Sequence, residues 1–181
     1  MYSTLIVGAG YSGVANSLVL QEKSDAAASV QIIERYRERG IGGVAYSRAT
    51  TGGDHFQTNV AFRTMGPFAS NPGSMAVATN YPGNRVGPRT LVGRFLEKSF
   101  DTSAAANKSR GIHSGRIFGE VTDLIDEHDG VSVIMKEPGS EIQRVERVVS
   151  AFRHRRSLPV RRAFATRVGR ARATIQSRGP I

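Results

Sequence analysis

The sequence predicts an α/β fold with an antiparallel insert, and three observations support this prediction. A short apolar run at 4–7 is followed by apolar residues at helical spacing within 11–22. A second apolar run at 30–33 then ends in an acidic residue, Glu34. Between 117 and 150, alternating apolar residues and turn pairs are typical of antiparallel strands. The first half of the chain therefore predicts parallel strands joined by a helix, and the second half a small meander.

A glycine-rich turn joins the first strand to the first helix. Its residues have the spacing G-x-G-x-x-G and are Gly8, Ala9, Gly10, Tyr11, Ser12 and Gly13. Gly8 allows the tight strand-to-helix turn, and Gly10 has no side chain to keep a pyrophosphate away from the backbone. Gly13 lets the helix pack close to the strand, so that the helix N-terminus faces the phosphates. The turn predicts a dinucleotide site.

The acid at the end of the second strand has the position that such a site requires. Glu34 follows Gly13 by 21 positions, where a βαβ unit places a carboxylate beside the ribose hydroxyls of an adenosine. A carboxylate there disfavours a 2′-phosphate, and so favours FAD or NAD over NADP. The alternative interpretation is an ordinary α/β turn with a solvated Glu34.

The middle of the chain has one clear helix. Residues 47–88 are rich in Gly, Pro, Asn and Thr with little periodicity, and a loop region of that length usually wraps a ligand or is disordered. Residues 89–100 are predicted to be helical, with Val92, Phe95, Leu96 and Phe100 on one face. Residues 102–110 are predicted to be a polar connector.

Three strands are predicted after residue 117. The pair Asp129-Gly130 is a strong hairpin signal between a run that begins near Val121 and the alternating residues 131–135. A second turn at Pro138-Gly139 leads to a third run, 142–150. These residues predict a three-stranded antiparallel meander.

Length and composition exclude several classes of protein. The 181 residues are enough for one domain with a sizeable core and few for two. The chain has no cysteine, which excludes disulfides, thiolate catalysis and Cys-based zinc sites. No apolar stretch approaches the about 20 residues that span a bilayer, and no basic segment precedes the first apolar run. We expect a cytoplasmic protein with no membrane contact.

The positive charge is concentrated at the C-terminus. The formal net charge is +10, from 25 basic and 15 acidic residues. Residues 151–181 hold nine arginines and no acid, which leaves 16 basic and 15 acidic residues in 1–150. This Arg-rich tail has the composition either of a basic arm that binds phosphate backbones or of a GC-rich gene translated out of frame. The absence of lysine from the tail favours the second interpretation, and we expect the tail to be disordered or poorly packed.

Catalytic and metal-binding residues are not identified by spacing. The four histidines, His55, His113, His128 and His154, show no H-x-x-H or H-E-x-x-H pattern, so we predict no metal site. The pair Asp54-His55 lacks a nucleophile in context, and a hydrogen bond within the loop is the simpler interpretation. The catalytic residue is left unassigned.

Three stretches resemble a known family. They are Val7 to Gly13, then Gly43-Val-Ala-Tyr46 with His55 and Asn59-Val-Ala61, and last Pro88-Arg89 with Gly93 and Phe95-Leu96. Together they resemble the N-terminal part of bacterial FAD/NAD(P)-binding domain proteins, which are flavoprotein oxidoreductases. The resemblance covers about 1–150. It implies a Rossmann-type FAD/NAD(P)-binding domain with an antiparallel meander.

The resemblance also implies roles for individual residues. Gly8, Gly10, Ser12 and Gly13 would hold the FAD pyrophosphate, with Ala9 and Tyr11 inside the same turn. Glu34 would accept hydrogen bonds from the ribose, and Arg35 would cover the adenine or a phosphate. Gly42, Gly43 and Asn59 would lie near the flavin.

The sequence departs from the family pattern at one point, and this departure makes alternative functions worth considering. After the third meander strand the family has an Ala-x-Gly segment beside the cofactor, whereas here Ala151-Phe152 is followed by Arg153. We therefore expect a domain that is incomplete at its C-terminus. The resemblance implies an FAD-dependent oxidoreductase reduced by NAD(P)H with an unknown substrate. The alternatives are a non-catalytic dinucleotide-binding fragment and, more remotely, nucleic-acid binding through the tail.

Overall fold

The computed structural model describes residues 3–24, 28–51, 54–68, 71, 73–136, 143–151 and 160–162. Its helices are α1 (Tyr11–Lys23), α2 (Gly43–Tyr46), α3 (Arg48–Thr51), α4 (Ser74–Thr79) and α5 (Arg89–Lys108), with 3₁₀ turns at Arg37–Arg39 and Phe62–Thr64. Its strands are β1 (Ser3–Val7), β2 (Ser29–Glu34), β3 (His113–Phe118), β4 (Val121–Glu127), β5 (Gly130–Met135), β6 (Gln143–Val145), β7 (Arg147–Ser150) and β8 (Val160–Arg162).

Two sheets organise these elements. The first is parallel and has the strand order β3-β2-β1-β7. The second has the order β6-β5-β4-β8, in which β4, β5 and β6 are antiparallel neighbours and β8 lies parallel to β4. The predicted α/β class and the three-stranded meander are both confirmed. Within the described residues, no helix is both long and apolar enough to cross a membrane.

Strand β1 is buried on both sides because the parallel sheet is covered on both faces. Ile6 belongs to a core with helical residues of α1 and α5, including Leu18 and Leu96. Leu5 and Val7 point the other way, into a second core with meander residues. Alternating side chains of a strand point to opposite faces, so a continuous apolar run is what a central strand needs. The result is three layers: helices, parallel sheet and meander.

Helix α5 continues beyond the predicted helix end, and the connector prediction for 102–110 is wrong over most of its length. The helix reaches Lys108, through three alanines, which have the highest helix propensity. Its last turns also join a polar network with α1: Ser103 Oγ and Asn107 Nδ2 both donate to Gln21 Oε1, at 2.9 and 3.3 Å. Gln21 is fully buried, so these bonds satisfy a side chain that water does not reach.

The prediction of one strand over 142–150 is wrong, because the chain bends at Glu146 and the two parts join different sheets. Strand β6 pairs with β5 in the meander, whereas β7 pairs in parallel with β1. The pairing continues one residue further, since Ala151 N–H donates to the Val7 carbonyl at 2.9 Å. The parallel sheet thus gains its fourth strand within the described chain.

The strand after α5 begins earlier than predicted. It starts at His113 and pairs along its length with β2, so that Glu34 lies opposite Phe118. In the Arg-rich tail, residues 160–162 form β8, opposite 124–126 of β4. The expectation that the tail is disordered or poorly packed stays a prediction. Positions 152–159 and 163–181 of the tail lie outside the described residues.

Candidate functional site

The turn between β1 and α1 requires glycine at two positions, at one because of its backbone conformation and at the other because of packing. Gly8 has a φ of +105°, a conformation that side chains disfavour, and its N–H donates to the Ile33 carbonyl of β2 at 2.8 Å. A Cβ on Gly13 would overlap the carbonyl oxygen of Gly8. The absence of a side chain at Gly13 is therefore what allows α1 to begin directly against the end of β1.

Gly10 has a different environment. It is the N-cap of α1 in an extended conformation, with φ −70° and ψ −178°, and a Cβ built on it meets no atom within 4 Å. Glycine is required there neither by strain nor by internal packing. The first turn of α1 contains no acidic residue, and the cap has no side-chain hydrogen bond. The free amides and the helix dipole at that end favour an anion.

A second glycine segment packs against the first. Gly42 N–H donates to the Ala9 carbonyl at 2.8 Å, and Gly42 and Gly10 form a parallel bridge. Gly42 and Gly43 have φ values of +115° and +58°. A Cβ on Gly43 would lie 3.1 Å from the Gly10 Cα, so this segment approaches the turn closely. The structure brings Gly42 and Gly43 to the glycine turn; Asn59 lies exposed in a separate loop.

Glu34 lies beside the glycine turn, at the end of β2. Its side chain is buried, with 9% of the residue exposed. One carboxylate oxygen accepts from Ala9 N–H and the other from Tyr36 N–H, both at 3.3 Å. These amides fix the carboxylate in the wall of a small depression, which is also lined by Ala9, Ile32, Gly40, Ile41, Arg116, Ile117 and Phe118. A carboxylate held in this way has lone pairs left for the hydroxyls of a ribose.

Arginine side chains surround the same end of β2. Arg35 pairs with Glu120 at 3.0 Å, and its guanidinium carbon lies 4.9 Å from the Tyr36 ring centre. Arg39 stacks on the same ring at 4.0 Å, and Arg37 lies 4.9 Å from the Phe118 ring centre. The family resemblance implied that Arg35 contacts the ligand, but nothing in the sequence indicated its pairing with Glu120, which is 85 positions away.

Tyr11 connects the turn to the loop after the second 3₁₀ turn, a contact that the sequence did not indicate. Its ring centre lies 6.1 Å from that of Tyr46. Burial raises the pKa of the Tyr11 phenol, a hydrogen bond with the Gly66 backbone opposes this, and the nearby Tyr46 adds to the rise. The neutral Tyr11 side chain thus joins the start of α1 to α2 through Tyr46 and to the loop at Gly66.

We expect Tyr11→Phe to reduce the decrease in the free energy of unfolding that occurs as the pH becomes alkaline. Because the folded-state pKa is raised, the folded protein holds the proton more strongly than the unfolded chain. The stability that the raised pKa contributes is fully present below the phenol's ordinary pKa of 10.0. It is lost as the pH rises through the pKa of the folded state. Urea unfolding is measured at pH values from about 8 to about 11, which span the ordinary pKa of a phenol. It gives the slope of the free energy of unfolding against pH for both proteins. Equal slopes would contradict the assignment, since the other tyrosines are present in both.

The loop at 54–60 is held to the start of α5. Thr58 N–H donates to the Gly87 carbonyl at 2.8 Å, and Arg89 Nε donates to the Gln57 carbonyl at 2.9 Å. Thr90 and Asp54 share a hydrogen bond through the hydroxyl and a carboxylate oxygen. This bond ties the Asp54 side chain to helix α5, whereas the simpler interpretation from sequence was a hydrogen bond within the loop. Within the described ranges, no group of three or more His, Asp or Glu side chains is placed to hold a metal ion.

Fold and site together define a dinucleotide-binding α/β domain. Residues 5–155 match the family model described as FAD-NAD(P)-binding, and the chain belongs to this family. The resemblance drawn from the three sequence stretches is thereby confirmed. A search of curated proteins finds no significant match.

Solved structures with TM-scores above 0.5 show the same fold at low sequence identity. A closed structure of cyclohexanone monooxygenase matches with a TM-score of 0.54 and 13% identity, covering 83% of this chain and 26% of that one. The enzyme from Rhodococcus sp. Phi1, a mutant bound to NADP⁺, matches with a TM-score of 0.53 and 15% identity over 83% and 26% of the two chains. Thioredoxin reductase from Lactococcus lactis has a TM-score of 0.48 and 14% identity, covering 86% and 37%. The chain thus spans about a quarter of the length of the monooxygenases and 37% of the reductase.

Proposed function

We propose that this chain binds FAD and forms the flavin-binding part of an oxidoreductase whose flavin is reduced by NAD(P)H. The observation that carries the proposal is Gly10, whose missing Cβ opens onto free space at the uncapped N-terminus of α1. A pyrophosphate fits this donor set, because it is an anion that can approach the backbone only where no side chain stands in the way.

The residues around Gly10 have distinct roles in this proposal. The first-turn amides of α1 and the Ser12 hydroxyl donate to the pyrophosphate, and Gly8 and Gly13 keep those amides in place. Glu34 accepts hydrogen bonds from the ribose, and Arg35 lies at the adenine side. Gly42, Gly43 and Asn59 are assigned to the flavin side. Bound flavin would supply the hydride chemistry, while the protein supplies orientation and electrostatics.

The charge of Glu34 favours FAD or NAD over a 2′-phosphorylated dinucleotide at this site. The family description names both FAD and NAD(P), and the sequence resemblance to flavoproteins favours FAD. Reduction of this flavin by NADH or NADPH is the step that would make the chain an enzyme.

The alternative is a non-catalytic dinucleotide-binding domain. It is favoured by the groups that the site assembles, which are backbone amides, glycines and one carboxylate, all suited to binding and orientation. This alternative predicts binding of FAD or ADP without reduction of a flavin by NADH or NADPH. Nucleic-acid binding through the tail is more remote, and predicts an affinity that falls steeply with salt.

The test is reconstitution with FAD. The protein is incubated with FAD and desalted, and its absorbance is recorded near the flavin bands at about 375 and 450 nm. We expect retained bands that bleach when NADH or NADPH is added without oxygen. Retained bands that do not bleach favour the non-catalytic alternative, and a colourless protein that also rejects ADP contradicts both.

A matched pair of variants tests the ribose contact. Glu34→Gln removes a charged acceptor, so we expect FAD to bind about tenfold more weakly or worse, the usual loss for hydrogen bonds to charged groups. Glu146→Gln makes the same chemical change at an exposed residue just before β7, whose N–H donates to Ser3 Oγ at the start of β1, the end of that strand away from the glycine turn. Equal affinities of these two variants would contradict the role of Glu34.

A further inference from the structure

Glu120 holds two cations at the carboxyl end of β2. One of its oxygens lies 3.0 Å from an Arg35 nitrogen, and the other lies 3.2 Å from Lys136 Nζ. The Glu120 side chain is 27% exposed, against 44% for Arg35 and 65% for Lys136. Of the three, the carboxylate is the least accessible to water, so solvent screens its pairing with Arg35 less than that of a fully exposed pair.

The backbone explains why Glu120 reaches Arg35. Glu120 lies in the turn between β3 and β4, where the Gly119 N–H donates to the Glu34 carbonyl at 2.9 Å. The Lys136 N–H donates to the Glu120 carbonyl at 2.8 Å, which ties the turn to the end of β5. The position of Glu120 relative to β2 is thus set by hydrogen bonds that do not involve its side chain.

The pairing matters because Arg35 is next to Glu34 in the chain. An arginine near this acid is the group that accommodates a 2′-phosphate in dinucleotide sites, through its planar set of donors. The neighbouring Arg39 and Arg37 lie against the Tyr36 and Phe118 rings. A 2′-phosphate would have to compete with Glu120 for Arg35 while also approaching the charge of Glu34.

We propose that Glu120 is a positioning residue that makes the site select a dinucleotide with an unmodified 2′-hydroxyl, by keeping Arg35 paired. The inference rests on the proposed dinucleotide function and adds a second carboxylate to its specificity. Glu34 acts by direct repulsion of a phosphate, and Glu120 acts through Arg35.

The experiment compares two probes that differ only in the phosphate, ADP-ribose and ADP-ribose 2′-phosphate. Calorimetry gives the Kd of each for the wild-type chain, Glu120→Gln, the double variant Glu120→Gln/Arg35→Gln and Glu146→Gln. We expect the wild type to prefer ADP-ribose. Glu120→Gln should reduce that preference about fivefold, the size of one charge contact at a partly exposed site. The double variant should restore the preference, and Glu146→Gln should not change it.

The outcomes separate this inference from the proposed function. If the wild type binds neither probe and does not retain FAD, the dinucleotide function is wrong, and the inference is wrong with it. If the wild type binds ADP-ribose but Glu120→Gln leaves the preference unchanged, the inference alone is overturned. It is also overturned if Glu146→Gln reduces the preference equally, or if the double variant behaves as Glu120→Gln does, because the effect would then not act through Arg35.

Discussion

Gly13→Ala is expected to lower the free energy of unfolding by about 3 kcal/mol, the upper part of the usual range for overpacking. The added Cβ would overlap the carbonyl oxygen of Gly8, and a backbone atom cannot turn aside as a flexible side chain can. Relief would require α1 to move away from β1, which would disturb the packing of Val14 and Leu18 in the helix-side core. Urea unfolding followed by circular dichroism measures the change.

Gly73→Ala is the matched control for this substitution. Gly73 is also close to a helix start, as the N-cap of α4, and its φ is −92°. A Cβ there would lie 3.6 Å from the Arg63 carbonyl oxygen, which is an ordinary contact. We expect a loss below about 1 kcal/mol, the size of a cap effect. Similar losses for both variants would contradict the idea that Gly13 sets the distance between helix and strand.

The first half of the Rossmann unit could be predicted because its signals are local. The run at 4–7, the glycine spacing and the acid at 34 agree with β1, α1 and β2 as the structure has them. The hairpin at Asp129-Gly130 is local in the same sense, since turn residues between alternating strands define it. In each case a few neighbouring residues carry the whole signal.

The other two parallel strands were predicted only in part, because long-range pairing defines them. β3 has the sequence HSGRIF, with its two large apolar residues at the end, so its period is too weak to detect. It is a strand because β2 supplies a hydrogen-bonding edge. β7 directly follows β6 in sequence, and only pairing with β1 separates the two. Neither fact is present in the local residue pattern.

The candidate site shows the same difference between local sequence signals and long-range contacts. Spacing predicted a carboxylate at Glu34 for the ribose hydroxyls, and the structure places that side chain within hydrogen-bonding distance of Ala9 N–H in the glycine turn; its contact with a ribose stays a prediction. The close approach of Gly43 to Gly10, and the pairing of Arg35 with Glu120, depend on how distant segments fold together. Sequence reasoning thus proposed candidate binding residues and missed the long-range contacts that position them.

Gly10→Val is expected to remove most FAD binding while leaving the fold intact. Gly10 has an extended conformation that valine adopts readily, and a Cβ there meets no protein atom within 4 Å. We therefore expect the free energy of unfolding to change by less than about 1 kcal/mol, as for a surface substitution. The new side chain would occupy the space through which a pyrophosphate approaches the first-turn amides of α1.

The expected loss of affinity is at least about tenfold, because losing even one hydrogen bond to a charged group costs about 1.5 kcal/mol or more. Flavin retained after desalting and fluorescence titration with FAD measure it, with Gly73→Val as the matched control at a helix start away from the turn. Wild-type affinity in Gly10→Val would place the pyrophosphate elsewhere and overturn the proposed site. A loss of affinity in Gly10→Val without a loss of stability, in contrast to the loss of stability expected for Gly13→Ala, would show that Gly10 is glycine for the ligand.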